Sequence, residues 1–259
     1  MTAHPAYELV REVTPYASVL LQQNPGPMTL DGTNTWLLRA PGATDSIVVD
    51  PGQSDDTHLE RLLAAAGDVA LVLVTHRHFD HSQLADELHA RTGAPVRAVE
   101  SDYCFGASPL ADGEVLSAAG VDLRVLGTPG HTSDSVSFVV GDNEAVLTGD
   151  TVLGRGTTVV AHPDGVLGPY LDSLRKLAAL GDATVLTGHG PELPSIAAVA
   201  RMYLAHREER LAQVRAALAE LGPDATARQI VEVVYADVDK SVWFAADLSV
   251  EAQLAYLRA

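Results

Sequence analysis

The chain has one cysteine, Cys104, among 259 residues. That excludes an internal disulfide and a thiolate zinc cluster, so any metal ion must be held by histidine and carboxylate. Basic residues are also scarce: 17 Lys and Arg stand against 34 Asp and Glu, a formal net charge of -17. A field of that sign repels polyanions, and tight nonspecific binding to duplex nucleic acid is not expected. Long apolar runs are missing. No window of about twenty residues is uniformly apolar. The start, Met1 to Val10, carries neither a basic leader nor a greasy segment followed by small residues. The reading is a cytoplasmic protein with no membrane partner.

What is present is an ordinary globular mixture, 47% hydrophobic and 20% charged, enough for one layered domain with a small appendage. Gly and Pro punctuate turns at Asn24-Pro25-Gly26-Pro27, Pro41-Gly42 and Pro51-Gly52. Between such turns Ser18–Gln22, Thr35–Arg39 and Ser46–Asp50 read as strands. Thr57–Ala66, Ser82–Arg91 and Tyr170–Leu180 have helical spacing. Alternation of the two makes the fold class α/β. Beyond Pro194 the pattern turns helical, with Ile196, Val199, Tyr203, Leu211, Val214, Leu218 and Leu221 in step until Gly222-Pro223. Thr226 with Gln229 has the form of a capping box, and Ser249 suits the cap of a last helix through Leu257. The organisation expected is a main α/β domain over 1–194 and a helical appendage of about three helices over 195–259. An amphipathic tail of this kind serves either dimerisation or docking within the chain, and the oligomeric state stays open.

The chemistry concentrates where strands end. Val69–Thr75 reads as a buried strand running into His76-Arg77-His78-Phe79-Asp80-His81, ahead of a helix that Ser82 can begin. His76 and His78, two apart at a strand end, can share one metal, while Asp80 and His81 turn the corner toward a neighbouring position. Val121–Thr128 leads to His131, Glu144–Thr148 to Asp150, and Ala183–Thr187 to His189. Gly130, Gly149, Gly188 and Gly190 flank these residues, as fits backbone folded tightly around a site. Repeated strand-end context separates this set from surface histidines. His4, His58, His89, His162 and His206 lack that context and read as surface or supporting residues.

The HxHxDH motif, followed in order by Gly-His, Gly-Asp and Gly-His-Gly, resembles the metallo-beta-lactamase superfamily. The resemblance implies an αββα sandwich with metals at one edge of two sheets. His76, His78 and His131 would bind a first zinc and Asp80, His81 and His189 a second, with Asp150 bridging them. The runs from Asn24 to Thr35 and from Gly149 to Thr158, together with the helical tail, look like the lactamase-beta-2-like proteins, some of which cleave single-stranded RNA. Two departures stand out: Ser82-Gln83 replace a more usual pair of glycines, and the chain ends at Ala259 just after the last helix. The tail is therefore expected to be winged-helix-like with the wing absent.

Two Zn2+ ions roughly 3.5 to 4 Å apart would share a hydroxide as nucleophile, and Asp80 could orient it or carry its proton. The substrates this implies are a short single-stranded RNA or a small ester or thioester, as in glyoxalase-type or acyl-carrier hydrolases. RNA has the closer resemblance, but the acidic charge counts against it, and the short step from Asp150 to His189 leaves no room for the insertion of the processive nucleases. No basic cluster near the C-terminus marks a glutathione site. Beta-lactam hydrolysis is expected only as weak turnover, and a structural zinc site in a binding module is the non-enzyme alternative. Arg77 and Arg155 are candidates for an anionic substrate, or else pair with structural carboxylates. Asn34 and Thr158 are candidates for the rim, and the Met28–Asp31 loop for a cover over the mouth.

Overall fold

The computed structural model describes residues 6–237, 239–240 and 243–258, so His4 lies outside the described residues. Two mixed sheets face each other. The first has the order β1 (Val10–Thr14), β2 (Ala17–Leu21), β3 (Asn34–Leu38), β4 (Asp45–Val49), β5 (Asp68–Leu73) and β6 (Val96–Arg97). The second runs β11 (Thr184–Thr187), β10 (Ala145–Gly149), β9 (Val136–Val140), β8 (Val121–Gly127) and β7 (Val115–Ala118). Pairing is antiparallel except for β4–β5, β5–β6 and β10–β11. Alternate side chains of both sheets meet in a shared core that includes Trp36, Ile47, Leu123, Phe138 and Leu147.

Helices cover the outer faces. α1 (Asp56–Ala66) and α3 (Ala85–Thr92) bury Leu59, Leu62 and Leu88 against the first sheet. α4 (Leu167–Ala178) and the first half of α5 (Ile196–Leu221) bury Leu171, Leu174, Ile196 and Tyr203 against the second. This is the αββα layering that the resemblance implies. Strand β9 is buried along its whole length and shows no alternation, which is why its periodicity carries no signal.

The tail folds as α5, α6 (Ala227–Val234) and α7 (Trp243–Arg258). The 26-residue α5 is shared, its second half contributing Val214 and Ala217 to a separate cluster with Ile230, Val231, Val250 and Leu254. The capping box at Thr226 and Gln229 is present. Two helix starts differ from expectation. Ser249 lies in the middle of α7, because the helix already begins at Trp243 and buries Ala246 and Val250 on either side of the serine. Ser82 ends a short turn, α2 (Phe79–Ser82), and its hydroxyl bonds back to the carbonyls of Arg77 and His78. Among the described residues after Thr226 no strand follows α6, and no helix of the described chain is long and apolar enough to cross a membrane.

Candidate metal centre

The edges of the two sheets that face the site are lined by the ends of β4, β5, β10 and β11 and by the loop after β8. β4, β10 and β11 run into turns at Asp50, Asp150 and Gly188, and β5 continues through Val74 and Thr75 to His76. The carbonyl ends of a parallel pair then lie side by side, so residues far apart in sequence converge. Gly149 adopts φ 46° and a Cβ there would meet Thr75 Oγ1 at 2.5 Å. Gly188 is required for space, since a Cβ would lie 2.7 Å from Asp150 Oδ1 and 2.8 Å from His81 Cε1. Only backbone without side chains brings β10 and β11 this close to the ligand-type residues.

All seven strand-end residues singled out in the sequence come together. His78 Nδ1 faces His76 Nε2 at 3.0 Å and His131 Nε2 at 3.1 Å. His81 Nε2 faces His189 Nε2 at 3.2 Å, and Asp80 Oδ2 lies 3.2 Å from His189 and 3.5 Å from His81. Asp150 sits between the two groups, with Oδ1 3.4 Å from His81 and Oδ2 3.4 Å from His189 and 3.7 Å from His131. Three sets of donor atoms lie within 4.8 Å of one another: His76, His78 and His131; His76, His81 and Asp150; Asp80, His81 and His189.

The remaining ring nitrogens of four histidines are anchored outward. His76 Nδ1 meets Thr75 Oγ1 at 3.0 Å, His131 Nδ1 the Val159 carbonyl at 2.9 Å, His189 Nδ1 the Gly32 carbonyl at 3.0 Å, and His81 Nδ1 Asp50 Oδ2 at 2.9 Å. Each anchor sets the ring's orientation and leaves its Nε2 pointing inward. Inward-facing nitrogens at hydrogen-bond distance from one another cannot all be satisfied by protons, and Asp150 Oδ1 is buried with no hydrogen-bond partner. A cation among them would satisfy these groups, and the nitrogen and oxygen donors fit a divalent ion of the zinc or iron class.

Electrostatics divide the cluster. Burial, reinforced by His81, holds His76 well below the ordinary imidazole range, and burial with His131 lowers His78. Both keep free lone pairs at neutral pH. For His81 burial is outweighed by Asp80, Asp50 and Asp150, which push it well up; His189 is pushed up to about 9, burial again being overcome, chiefly by Asp150. Burial would raise the Asp80 and Asp150 carboxyls, but the neighbouring histidines hold both below the usual carboxylate range. The carboxylates that retain protons on His81 and His189 can hold a metal cation in the protons' place.

Asp50 is the residue that sequence reasoning missed. It is buried at the end of β4 and accepts from Thr75 N and Thr75 Oγ1, both at 2.8 Å, besides bracing His81. The signal was available, because Asp50 also ends a buried strand ahead of a turn, but Pro51-Gly52 made it look like turn chemistry. The two arginines fall on the structural side. Arg77 is held by Glu100, Asp134 and Asp164, and Arg155 makes a two-pronged pair with Asp31. Asn34 braces the turn beside His189 through the carbonyls of Thr187 and Gly190, and Thr158 donates to the Asp150 carbonyl. His58 is a buried support between Thr35 and Glu8.

Residues 28–189 match the model of the metallo-beta-lactamase superfamily, and residues 226–259 match that of the beta-lactamase associated winged helix domain. The chain belongs to the metallo-beta-lactamase superfamily and is a metal-dependent hydrolase of that family. It is 31% identical over 251 residues to the beta-lactamase-like protein 2 homolog of Caenorhabditis elegans, covering 92% of this chain and 83% of that one. It is 32% identical over 214 residues to the atrochrysone carboxyl ACP thioesterase of Aspergillus fumigatus, covering 80% of this chain and 66% of that one. Among solved structures, a beta-lactamase domain protein from Burkholderia ambifaria superposes with a TM-score of 0.82 at 26% identity, covering 99% of this chain and 90% of that chain.

Proposed function

We propose that the protein is a dinuclear zinc thioesterase acting on acyl groups carried by a pantetheine-type thiol. The observation that carries this reading is the mouth above the donor cluster. A cavity of about 90 Å³ opens over His131 and Asp150 between Met28, Leu30, Leu153 and Val159, and the arginine at its edge is already paired with Asp31. An apolar mouth whose cation is neutralised suits an uncharged acyl chain better than a phosphodiester backbone. The similarity to a protein named as an acyl-carrier thioesterase supports the same class.

Metal ions held by the two histidine groups would supply a water of lowered pKa and polarise the acyl carbonyl. The side chains supply the rest. His76, His78 and His131 would hold one ion and Asp80, His81 and His189 the other, with Asp150 available to both. Asp80 orients the attacking water and takes up its proton. The water oxygen bonds to the carbonyl carbon, the carbon–sulfur bond breaks, and the proton goes to the departing sulfur. A thiolate leaves without prior protonation, so the carboxyl of Asp80 need deliver the proton only after the carbon–sulfur bond has broken. Over 1–194 this chemistry is housed in the sandwich, and 195–259 forms the helical appendage, whose α5 and α7 line the neighbouring cavity.

The test is hydrolysis of S-acetyl-pantetheine and of a single-stranded RNA oligomer by zinc-loaded protein, with Asp150→Ala as control. Thioester cleavage that disappears in the variant, with the RNA left intact, is expected. RNA cleavage dependent on Asp150 with the thioester untouched would overturn the reading in favour of a ribonuclease.

A further inference from the structure

Beside the mouth lies a second cavity of about 260 Å³, and Thr157, Thr158 and Val159 line both. Its far wall is the middle of α5, which presents His206, Arg207 and Arg210, with Tyr235 and Ser249 of the tail closing it. Arg207 is 5% exposed. It donates to the Thr158 carbonyl and lies over the Tyr170 ring, 5.2 Å from its centroid, yet its Nε is buried without a hydrogen-bond partner. His206 Nδ1 is buried and unpartnered as well. Arg210 stands over the Tyr235 ring at 4.8 Å and donates to Gln213.

Among the described residues no carboxylate forms an ion pair with Arg207 or Arg210, in contrast to Arg77 and Arg155. A buried guanidinium without a counter-ion is costly, and so is a buried donor without an acceptor. In a chain of net charge -17, buried Arg207 and half-buried Arg210, one turn apart, make a local positive site. Burial and both arginines keep His206 below the ordinary imidazole range, so it meets a ligand as a neutral ring that can donate one hydrogen bond. Arg207, Arg210, His206, Thr157 and Ser249 all line the cavity, so guanidinium, imidazole and hydroxyl groups of the kind that recognise a tetrahedral oxyanion are gathered around it.

We propose that this cavity binds the phosphate of a phosphopantetheine thioester, whose acyl end then lies over the metal-ligand cluster. The proposal rests on the thioesterase reading. The spacing between the two sites is set by one segment: Thr158 accepts from Arg207 and donates to the Asp150 carbonyl, and the next carbonyl, Val159, holds His131. An anion seated on α5 is thereby tied to the residues that surround the reacting carbonyl.

Binding and turnover separate the two claims. Calorimetric titration of the metal-loaded full chain with 4′-phosphopantetheine and with pantetheine is expected to show the phosphorylated compound binding about tenfold more tightly. Arg210→Glu should bring that ratio close to one with metal content and circular dichroism unchanged, whereas Arg201→Glu, exposed on the same helix outside the cavity, should keep it. The kcat/KM ratio of the two S-acetyl derivatives should follow the binding ratio. Equal binding of the two compounds, or a preference that survives Arg210→Glu, overturns the phosphate site. A short RNA that binds more tightly than phosphopantetheine, in competition with it, overturns the pantetheine assignment. Retained phosphate preference with no thioester cleavage would instead sink the thioesterase reading and leave the anion site standing.

Discussion

The metal-ligand rim and the three-helix tail are built on opposite principles. At the rim seven ionisable side chains crowd together, six of them buried and His78 partly so; carboxylates and histidines offset one another's desolvation at Asp80, His81, Asp150 and His189, while His76 and His78 are kept neutral. The tail holds Val214, Ile230, Val231, Val250 and Leu254 in an apolar cluster with a capped α6. Burial of apolar area drives the second arrangement directly. The first needs the sandwich to hold it in place, since convergent imidazoles and carboxylates do not assemble for their own stability. The rim therefore draws on folding free energy supplied by the apolar clusters of the sandwich, whereas the tail supplies its own.

That division can be broken by mutation, beginning with the rim. Asp150→Ala should lower hydrolysis by about a thousandfold or more and reduce bound metal, read by elemental analysis and turnover; full activity with two ions retained would remove Asp150 from the site. In the tail, Ile230→Ala should cost about 2 to 4 kcal/mol, seen as a lower denaturation midpoint with metal content intact at low temperature. Metal loss at unchanged stability would dissolve the contrast between the regions.

Asp50→Ala sharpens the comparison, because it leaves every donor atom in place and removes only the brace on His81 and Thr75. Metal affinity in chelator competition should fall by about 10- to 100-fold. Unchanged affinity would mean that backbone alone orients His81.

The smallest effect is expected for Asp164→Asn, which removes one of three carboxylates around Arg77. Burial would raise the Asp164 carboxyl, but Arg77 and Ser133 hold it below the usual range. The stabilisation is thus present above the unfolded carboxyl pKa and is lost as pH falls through the lower folded value. The pair is partly exposed and screened, so the variant should cost under about 1 kcal/mol at pH 7 and nothing in strong acid. Equal destabilisation at both pH values would point to packing instead of charge.

The histidine motif was legible because its geometry is local: at a strand end, side chains two residues apart fall on one side whatever the rest of the chain does. His131, Asp150 and His189 could be added because each repeats the same strand-to-turn context, and the α/β alternation and the capping box at Thr226 are likewise short-range signals. Ser249 shows the limit of such signals. Its capping propensity is real, but burial of Ala246 and Val250 extends the helix through it. Asp50 shows another, since the brace for His81 depends on the parallel pairing of β4 with β5, not on the residues beside it.

Residue types and short spacings alone determined that histidine and carboxylate, not thiolate, make the site, and that strands deliver them. Only the tertiary structure decided which arginines are neutralised and which are left without a counter-ion. Arg77 meets Asp164 and Arg155 meets Asp31 across long stretches of chain, while Arg207 is enclosed by Thr158 and Tyr170. Such pairings depend on the packing of whole layers, because the free energy of a charge is set by what surrounds it in space.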